Sequence, residues 1–167
     1  ENGVSPITHP GVISGMYTAD GLEHNQRGTP SSMAKDHRLQ LDKRRVKLEG
    51  FDYGDAWAEI EGQGALAIVT WGSSAGPVFE AARLLRDEGR AVRVIAMRLL
   101  SPLRREVMLD ALEGAESVWV VEQNHGAPLF HYLAAPRVLP AAAGSLACPG
   151  PLPLRPGEIC NAVTEEV

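Results

Sequence analysis

Three short apolar runs, each followed by a segment with helical spacing, constrain the fold of this chain more than any other feature. Ala65 to Trp71 reads ALAIVTW and stops at Gly72. Ala91 to Met97 reads AVRVIAM, and Ser117 to Val121 reads SVWVV. Runs this short and this apolar predict strands buried on both faces of a sheet. Between them, Pro77 to Glu88 places Val78, Ala81, Ala82 and Leu85 on one helical face and ends at Gly89. Arg104 to Leu112 places Val107, Leu109 and Leu112 similarly, and Ala127 to Leu133 begins a third helix with Pro128 in its first turn. Strands alternating with helices predict an α/β fold: an open, mostly parallel sheet with helices on both faces.

The flanks are less regular. Residues 1–29 are rich in Gly, Pro, Thr and polar side chains with no sustained period, which predicts an extended arm or a set of turns. Thr29-Pro30 reads as an N-cap followed by proline in the first helical position, so a helix is expected from there to about Glu49, stopping at Gly50. Residues 30–63 are thus read as helix and linker, and 64–167 as the α/β domain. Residues 136–167 hold Pro136, Pro140, Pro149, Pro151 and Pro153, a loose segment, before a last short helix from Pro156 carrying Ile159, Ala162 and Val163.

The net charge of −5 gives no electrostatic reason to expect nucleic acid or an anionic membrane as partner. No apolar run approaches the length of a transmembrane helix. The first residues, Glu1 to Pro6, lack the basic and apolar regions of a signal peptide and an initiator Met, so a cytoplasmic chain that starts mid-protein is expected. Cys148 and Cys160 are the only cysteines, too few for a four-cysteine cluster. In a cytosolic chain they are expected to stay unpaired.

Three blocks hold chemistry-bearing residues. Gly72, Ser73, Ser74, Ala75 and Gly76 lie between a strand and a helix, where Ser73 or Ser74 can cap the helix or the turn can receive an anion such as a CoA phosphate. The turn lacks the Gly-Lys-Ser/Thr of a P-loop. Glu122 to Gly126 follows the third strand; a buried Glu122 needs hydrogen-bond partners, which Asn124 or nearby backbone can supply. No second ligand sits at metal-binding spacing, so no metal is expected there. Glu23 to Gly28 is the densest acid–base cluster. In it His24 can titrate near neutrality, although a hydrogen-bonded loop explains the block equally. His37 and His131 are scattered, and Trp57, Trp71 and Trp119 read as core or interface residues.

Taken in order, the blocks Gly21–Gly28, Asp42–Leu48, Trp71–Gly76, Val120–Gly126 and Leu154–Ile159 resemble the C-terminal portion of the alpha subunit of 2-oxoacid:ferredoxin oxidoreductases, especially the 2-oxoglutarate type. The resemblance implies that residues 64–167 form a domain similar to the transketolase C-terminal domain. It also implies that residues 1–29 connect from a preceding thiamine-pyrimidine domain. It implies a whole enzyme that oxidatively decarboxylates a 2-oxoacid on thiamine diphosphate and Mg, forms an acyl-CoA, and passes electrons through a [4Fe–4S] cluster to ferredoxin. The beta subunit would be the direct partner in a hetero-oligomer, with no catalytic residue and no cofactor held by this chain alone. The family commonly has Arg directly after the first Ser-Pro, where this chain has Ile7, which cannot grip a carboxylate. Thr8, His9 and Thr18 then remain as residues that could line a substrate passage, with His24, Glu122 and Asn124 beside them or at an interface. Two other readings stay open: a small-molecule module holding a CoA or nucleotide phosphate at Gly72–Ser74, and a C-terminal domain of another thiamine diphosphate enzyme.

Overall fold

The computed structural model describes residues 2–17 and 19–164 and divides into two compact units, residues 1–52 and 53–167. The second unit carries a five-stranded sheet in the order β3-β5-β4-β6-β7. Its strands are β3 (Ala58–Glu61), β4 (Leu66–Trp71), β5 (Val92–Met97), β6 (Ser117–Glu122) and β7 (Gly144–Ala147). Four strands are parallel, and β3 runs antiparallel along β5 at one edge. The helices are α2 (Ala75–Asp87), α3 (Arg105–Leu112), α4 (Pro128–Ala134) and α5 (Pro156–Thr164). The expected fold class is therefore the observed one.

Period-two alternation splits the core between the two faces of the sheet. Val69, Ile95 and Val120 face one way and pack with Met108 and Leu112 of α3 and Leu129 and Leu133 of α4. Ile68, Val94 and Val121 face the other way, onto Val78, Ala82 and Leu85 of α2 and Ile159 and Val163 of α5. With α2 and α3 on opposite faces, the chain steps outward from β4 to β5, then crosses back over β4 to β6. Strand order reverses there, between β4 and β6.

Two elements escape the sequence reading. Residues 53–63 are not only a linker: Ala58–Glu61 is the antiparallel edge strand, and its exposed Glu59 and Glu61 are covered by ion pairs to Arg98 (2.5 Å) and Arg86. The loose segment after Pro136 contains β7, paired with β6 in register Trp119↔Gly144. A Cβ on Gly144 would lie 2.5 Å from Trp119 Cδ2, so the indole occupies the space that a side chain would take. Arginines close the remaining backbone groups: Arg93 Nη1 donates to the carbonyls of Ala111 (2.6 Å) and Glu113 (3.0 Å) at the end of α3. Cys148 and Cys160 are free thiols, as expected.

The first unit contains a short hairpin, β1 (Glu23–His24) with β2 (Pro30–Ser31), and helix α1 (Ala34–Glu49). The helix ends at Gly50 as expected, but it does not start at Thr29-Pro30, because Pro30 and Ser31 pair as strand. Its first turn is held instead by Ser31, whose hydroxyl donates to Asp36 Oδ2 at 2.6 Å. Lys43 and Arg44 bind the arm through Ser5 Oγ (2.8 Å) and Glu23 (2.9 and 2.5 Å). At 100° per residue, Leu39 and Val46 fall on one side of α1 and Leu41 and Leu48 on the opposite side, and all four are exposed. No helix among the described residues is long and apolar enough to cross a membrane.

Replacing Gly144 with alanine should force the Trp119 indole to shift and destabilise the second unit by about 1–3 kcal/mol. Chemical denaturation of G144A beside G144A/W119L measures this; the double variant should recover part of the loss, and additive losses would separate the two residues.

Candidate functional site

The buried polar side chains of the second unit's described residues, Thr70, Ser74 and Glu122, gather at the C-terminal ends of β4 and β6. Glu122, the last residue of β6, is fully buried. Its carboxyl group accepts three N–H donors: Leu129 N to Oε2 at 3.0 Å, Phe130 N to Oε1 at 3.0 Å, and Asn124 Nδ2 to Oε2 at 2.9 Å. Two of these are first-turn amides of α4, which have no partner within the helix. Between β6 and α4 the backbone passes through Gly126 (φ 77°) and Ala127 (φ 52°), a left-handed pair that turns the chain sharply back.

The Gly72–Ser74 turn is a single 3₁₀ turn leading into α2. Neither serine side chain caps the helix, contrary to expectation. Ser74 is buried, and its Oγ accepts from Gln123 N at 3.1 Å, joining the loop after β4 to the loop after β6. Deeper in the sheet, Thr70 Oγ1 donates to the Val121 carbonyl at 2.8 Å. Gly72 and Ser73 are exposed, and a Cβ on Gly72 would meet nothing.

A cleft of about 480 Å³ opens beside these loops, lined by Trp71, Leu100, Ser101, Asn124, Pro128, Leu129 and Tyr132. Trp71 follows from β4, Leu100 and Ser101 from β5, and the others from β6 and α4. Tyr132 donates its hydroxyl to the Leu100 carbonyl at 2.6 Å, which fixes that wall. The position, just beyond the strand ends where strand order reverses, is where open α/β sheets bind ligands.

Residues 56–128 match the family model of the transketolase C-terminal domain. The alpha subunit of 2-oxoacid:ferredoxin oxidoreductase 2 from Aeropyrum pernix is 33% identical over 129 residues, 74% of this chain and 20% of that protein. The corresponding alpha subunit from Saccharolobus solfataricus is 29% identical over 136 residues, 75% of this chain and 20% of that protein. Among solved structures, the 2-oxoglutarate:ferredoxin oxidoreductase of Magnetococcus marinus, with 2-oxoglutarate, coenzyme A and succinyl-CoA bound, matches with a TM-score of 0.75. That match is 30% identical and covers 99% of this chain and 29% of the other. The chain carries a transketolase C-terminal domain of the 2-oxoacid:ferredoxin oxidoreductase alpha-subunit type. It spans about a fifth of the length of these curated relatives.

Within this domain, Gly72, Ser73, Ser74 and Asn124 lie just after β4 and β6, and Glu122 ends β6 beside them. Trp71 and Tyr132 join the cleft without any signal in the sequence: one ends a strand and the other sits mid-helix. Leu100 and Ser101 likewise follow β5 without a motif. The remaining candidates belong to the first unit. Thr8 Oγ1 is buried without a hydrogen-bond partner, and His9 is exposed, with its carbonyl accepting from Val12 N at 3.2 Å. His24 lies in β1, with Nε2 3.8 Å from Asp20 Oδ1. Thr18 lies outside the described residues. Near His24, Glu23 takes both guanidinium nitrogens of Arg44, and His37 Nδ1 lies 3.6 Å from its Oε2. The hydrogen bonds from Arg44 hold the Glu23 carboxyl below the usual carboxylate range; partial burial opposes them, and the Arg44 charge reinforces them.

Changing Glu122 to alanine leaves three donors without an acceptor, two of them at the start of α4. The expected cost is about 2–4 kcal/mol, read as a lower urea midpoint. A midpoint equal to that of the unaltered chain would show that water serves these amides as well.

The Glu23–Arg44 pair sets a pH dependence for the first unit. A carboxyl whose folded pKa is depressed adds stability above its unfolded pKa and loses that contribution as pH falls through the folded value. Amide protection across residues 21–31, corrected for intrinsic exchange, should therefore be constant from neutrality to the ordinary carboxylate range and fall below it. R44A should remove that step.

Proposed function

We propose that this chain is an assembly domain of a 2-oxoacid:ferredoxin oxidoreductase, most closely the 2-oxoglutarate type, and is inactive by itself. Residues 1–29 serve as connector from a preceding domain, helix α1 follows the connector, and the transketolase-C-like domain, read from the sequence as 64–167, takes in the edge strand Ala58–Glu61 as well. The observation that carries the reading is the match to the Magnetococcus marinus enzyme, which extends over both units of this chain rather than over the α/β domain alone. The whole enzyme would decarboxylate a 2-oxoacid oxidatively on thiamine diphosphate and Mg, form the acyl-CoA, and reduce ferredoxin through a [4Fe–4S] cluster.

The residues present do not fit those groups. A [4Fe–4S] cluster takes four thiolates, and this chain has two cysteines. Glu122, the buried carboxylic side chain of the domain, is committed to the α4 amides. No group of three metal-ligating side chains occurs among the described residues. The cofactors are therefore assigned to other parts of the enzyme, chiefly its beta subunit. Thr8, His9 and Thr18 are assigned to the substrate passage, and His24, Glu122 and Asn124 to that passage or to an interface.

Mixing the chain with the beta subunit should give a complex at micromolar concentration, seen by analytical ultracentrifugation. The chain alone should show no 2-oxoglutarate-dependent reduction of a viologen dye, whereas the assembled full-length subunits should. Absence of a complex would refute the assembly role. A preference of the full enzyme for pyruvate would refute the 2-oxoglutarate assignment alone.

A further inference from the structure

We propose that the cleft at the β4/β6 reversal binds an uncharged nitrogen heteroaromatic ring that presents an N–H donor. Its volume of about 480 Å³ lies within the range of small-molecule sites, and its place in the sheet is where such folds bind ligands. The described lining contains no charged side chain. A phosphate or carboxylate entering it would give up hydration with no cation in return, whereas a neutral ring would not. Trp71, Pro128 and Tyr132 supply flat apolar walls, against which an aromatic ring stacks favourably.

The polar preference follows from Glu122. Its carboxyl group only accepts here, so the Asn124 amide must turn its NH₂ toward it, at 2.9 Å. Asn124 lines the cleft, and with its NH₂ committed to Glu122 the other amide atom, Oδ1, is the acceptor the proposal assigns to the ligand. Leu129 N and Phe130 N hold the carboxyl group in turn, so the acceptor is preorganised and needs no rearrangement to receive a ligand. The Tyr132 hydroxyl already donates to Leu100 O and does not compete for it. A ring with an N–H at its edge satisfies Oδ1; a ring with acceptors only does not. The Gly72–Ser74 turn has no part in this recognition, because none of its residues lines the cleft.

Adenosine and purine riboside are both neutral and differ only in the exocyclic amino group, so the pair isolates the N–H preference without altering the protein. The chain is titrated with each, following the Trp71 indole N–H resonance by NMR. Adenosine should bind with a dissociation constant on the order of 1 mM, the range open to a fragment of this size. Purine riboside should bind roughly five- to tenfold more weakly, the worth of one hydrogen bond. N124A should bring adenosine down to the purine riboside level, with folding checked on the β6 amide resonances, and W71A, titrated on the Leu129 and Tyr132 backbone amide resonances instead, should weaken both nucleosides. Inorganic phosphate should not displace adenosine. Equal affinity for the two nucleosides, no shift at Trp71 up to about 10 mM adenosine, or displacement by phosphate would each overturn the proposal. The readout does not involve the beta subunit, so its failure and that of the assembly role are separable.

Discussion

Three N–H groups converging on one buried carboxyl organise the C-terminal end of this sheet. Helix α4 is seven residues long, too short to persist on intrinsic propensity. Its first position is Pro128, which has no amide to satisfy. The next two amides, Leu129 and Phe130, would be left in a buried setting, and Glu122 takes both. The acceptor arrives from the strand rather than from a capping residue, because Ala127 precedes the helix with φ 52° and has no side-chain oxygen to offer. The cost of burying Glu122 and the cost of starting α4 are thus settled by the same contacts. Leu129 and Tyr132, which form one side of the cleft, are held in place through this arrangement.

The reversal of strand order would leave a gap between the loops after β4 and β6, because the two chains leave the sheet toward opposite faces. Side chains close its floor. Thr70 bonds to the Val121 carbonyl and Ser74 receives the Gln123 amide. These are local substitutes for ladder bonds that β4 and β6 no longer make beyond Val69↔Val120. The cleft above that floor is apolar because Trp71 and the α4 side chains turn onto the face that also holds Met108 and Leu112. A crevice of this kind is a by-product of topology; its chemistry depends on which residues happen to end the strands.

The three central strands were legible because each is largely buried on both faces and therefore reads as a nearly continuous apolar run, with Thr70 and Arg93 as isolated interruptions. Edge strands lack that signature. Ala58–Glu61 alternates charge with Ile60 and resembles a loop until Arg86 and Arg98 are seen to cover it. β7 is made of Gly, Ser, Leu and Ala, and its place depends on Trp119 lying over Gly144, a pairing that no local pattern encodes. The α1 start was misread for a physical reason: Thr-Pro suits a helix N-terminus, yet the Asn25 carboxamide gathers Arg27 N (2.9 Å) and Thr29 N (3.2 Å) into a hairpin turn that places Pro30 in a strand. The need of Glu122 for Asn124 and backbone partners was readable from its position at a strand end. Trp71 and Tyr132 were not, since only the folded sheet brings their elements together.

The first unit argues for an assembly role on grounds separate from sequence likeness. Gln40 is the one buried residue among its described side chains, so it has no core of its own. Val4, Ile7, Val12, Ile13, Met16, Tyr17 and Leu22 of the arm are exposed, as are both apolar stripes of α1. Polar contacts tie its described parts together: Ser5 with Lys43, Glu23 with Arg44, Ser31 with Asp36. Half-exposed ion pairs and hydroxyl bonds contribute little, whereas ordering a backbone costs on the order of 1–2 kcal/mol per residue. A helix whose apolar residues lie on two opposed sides gains the missing stabilisation only if a surface covers each side. That is the arrangement the proposed assembly role requires.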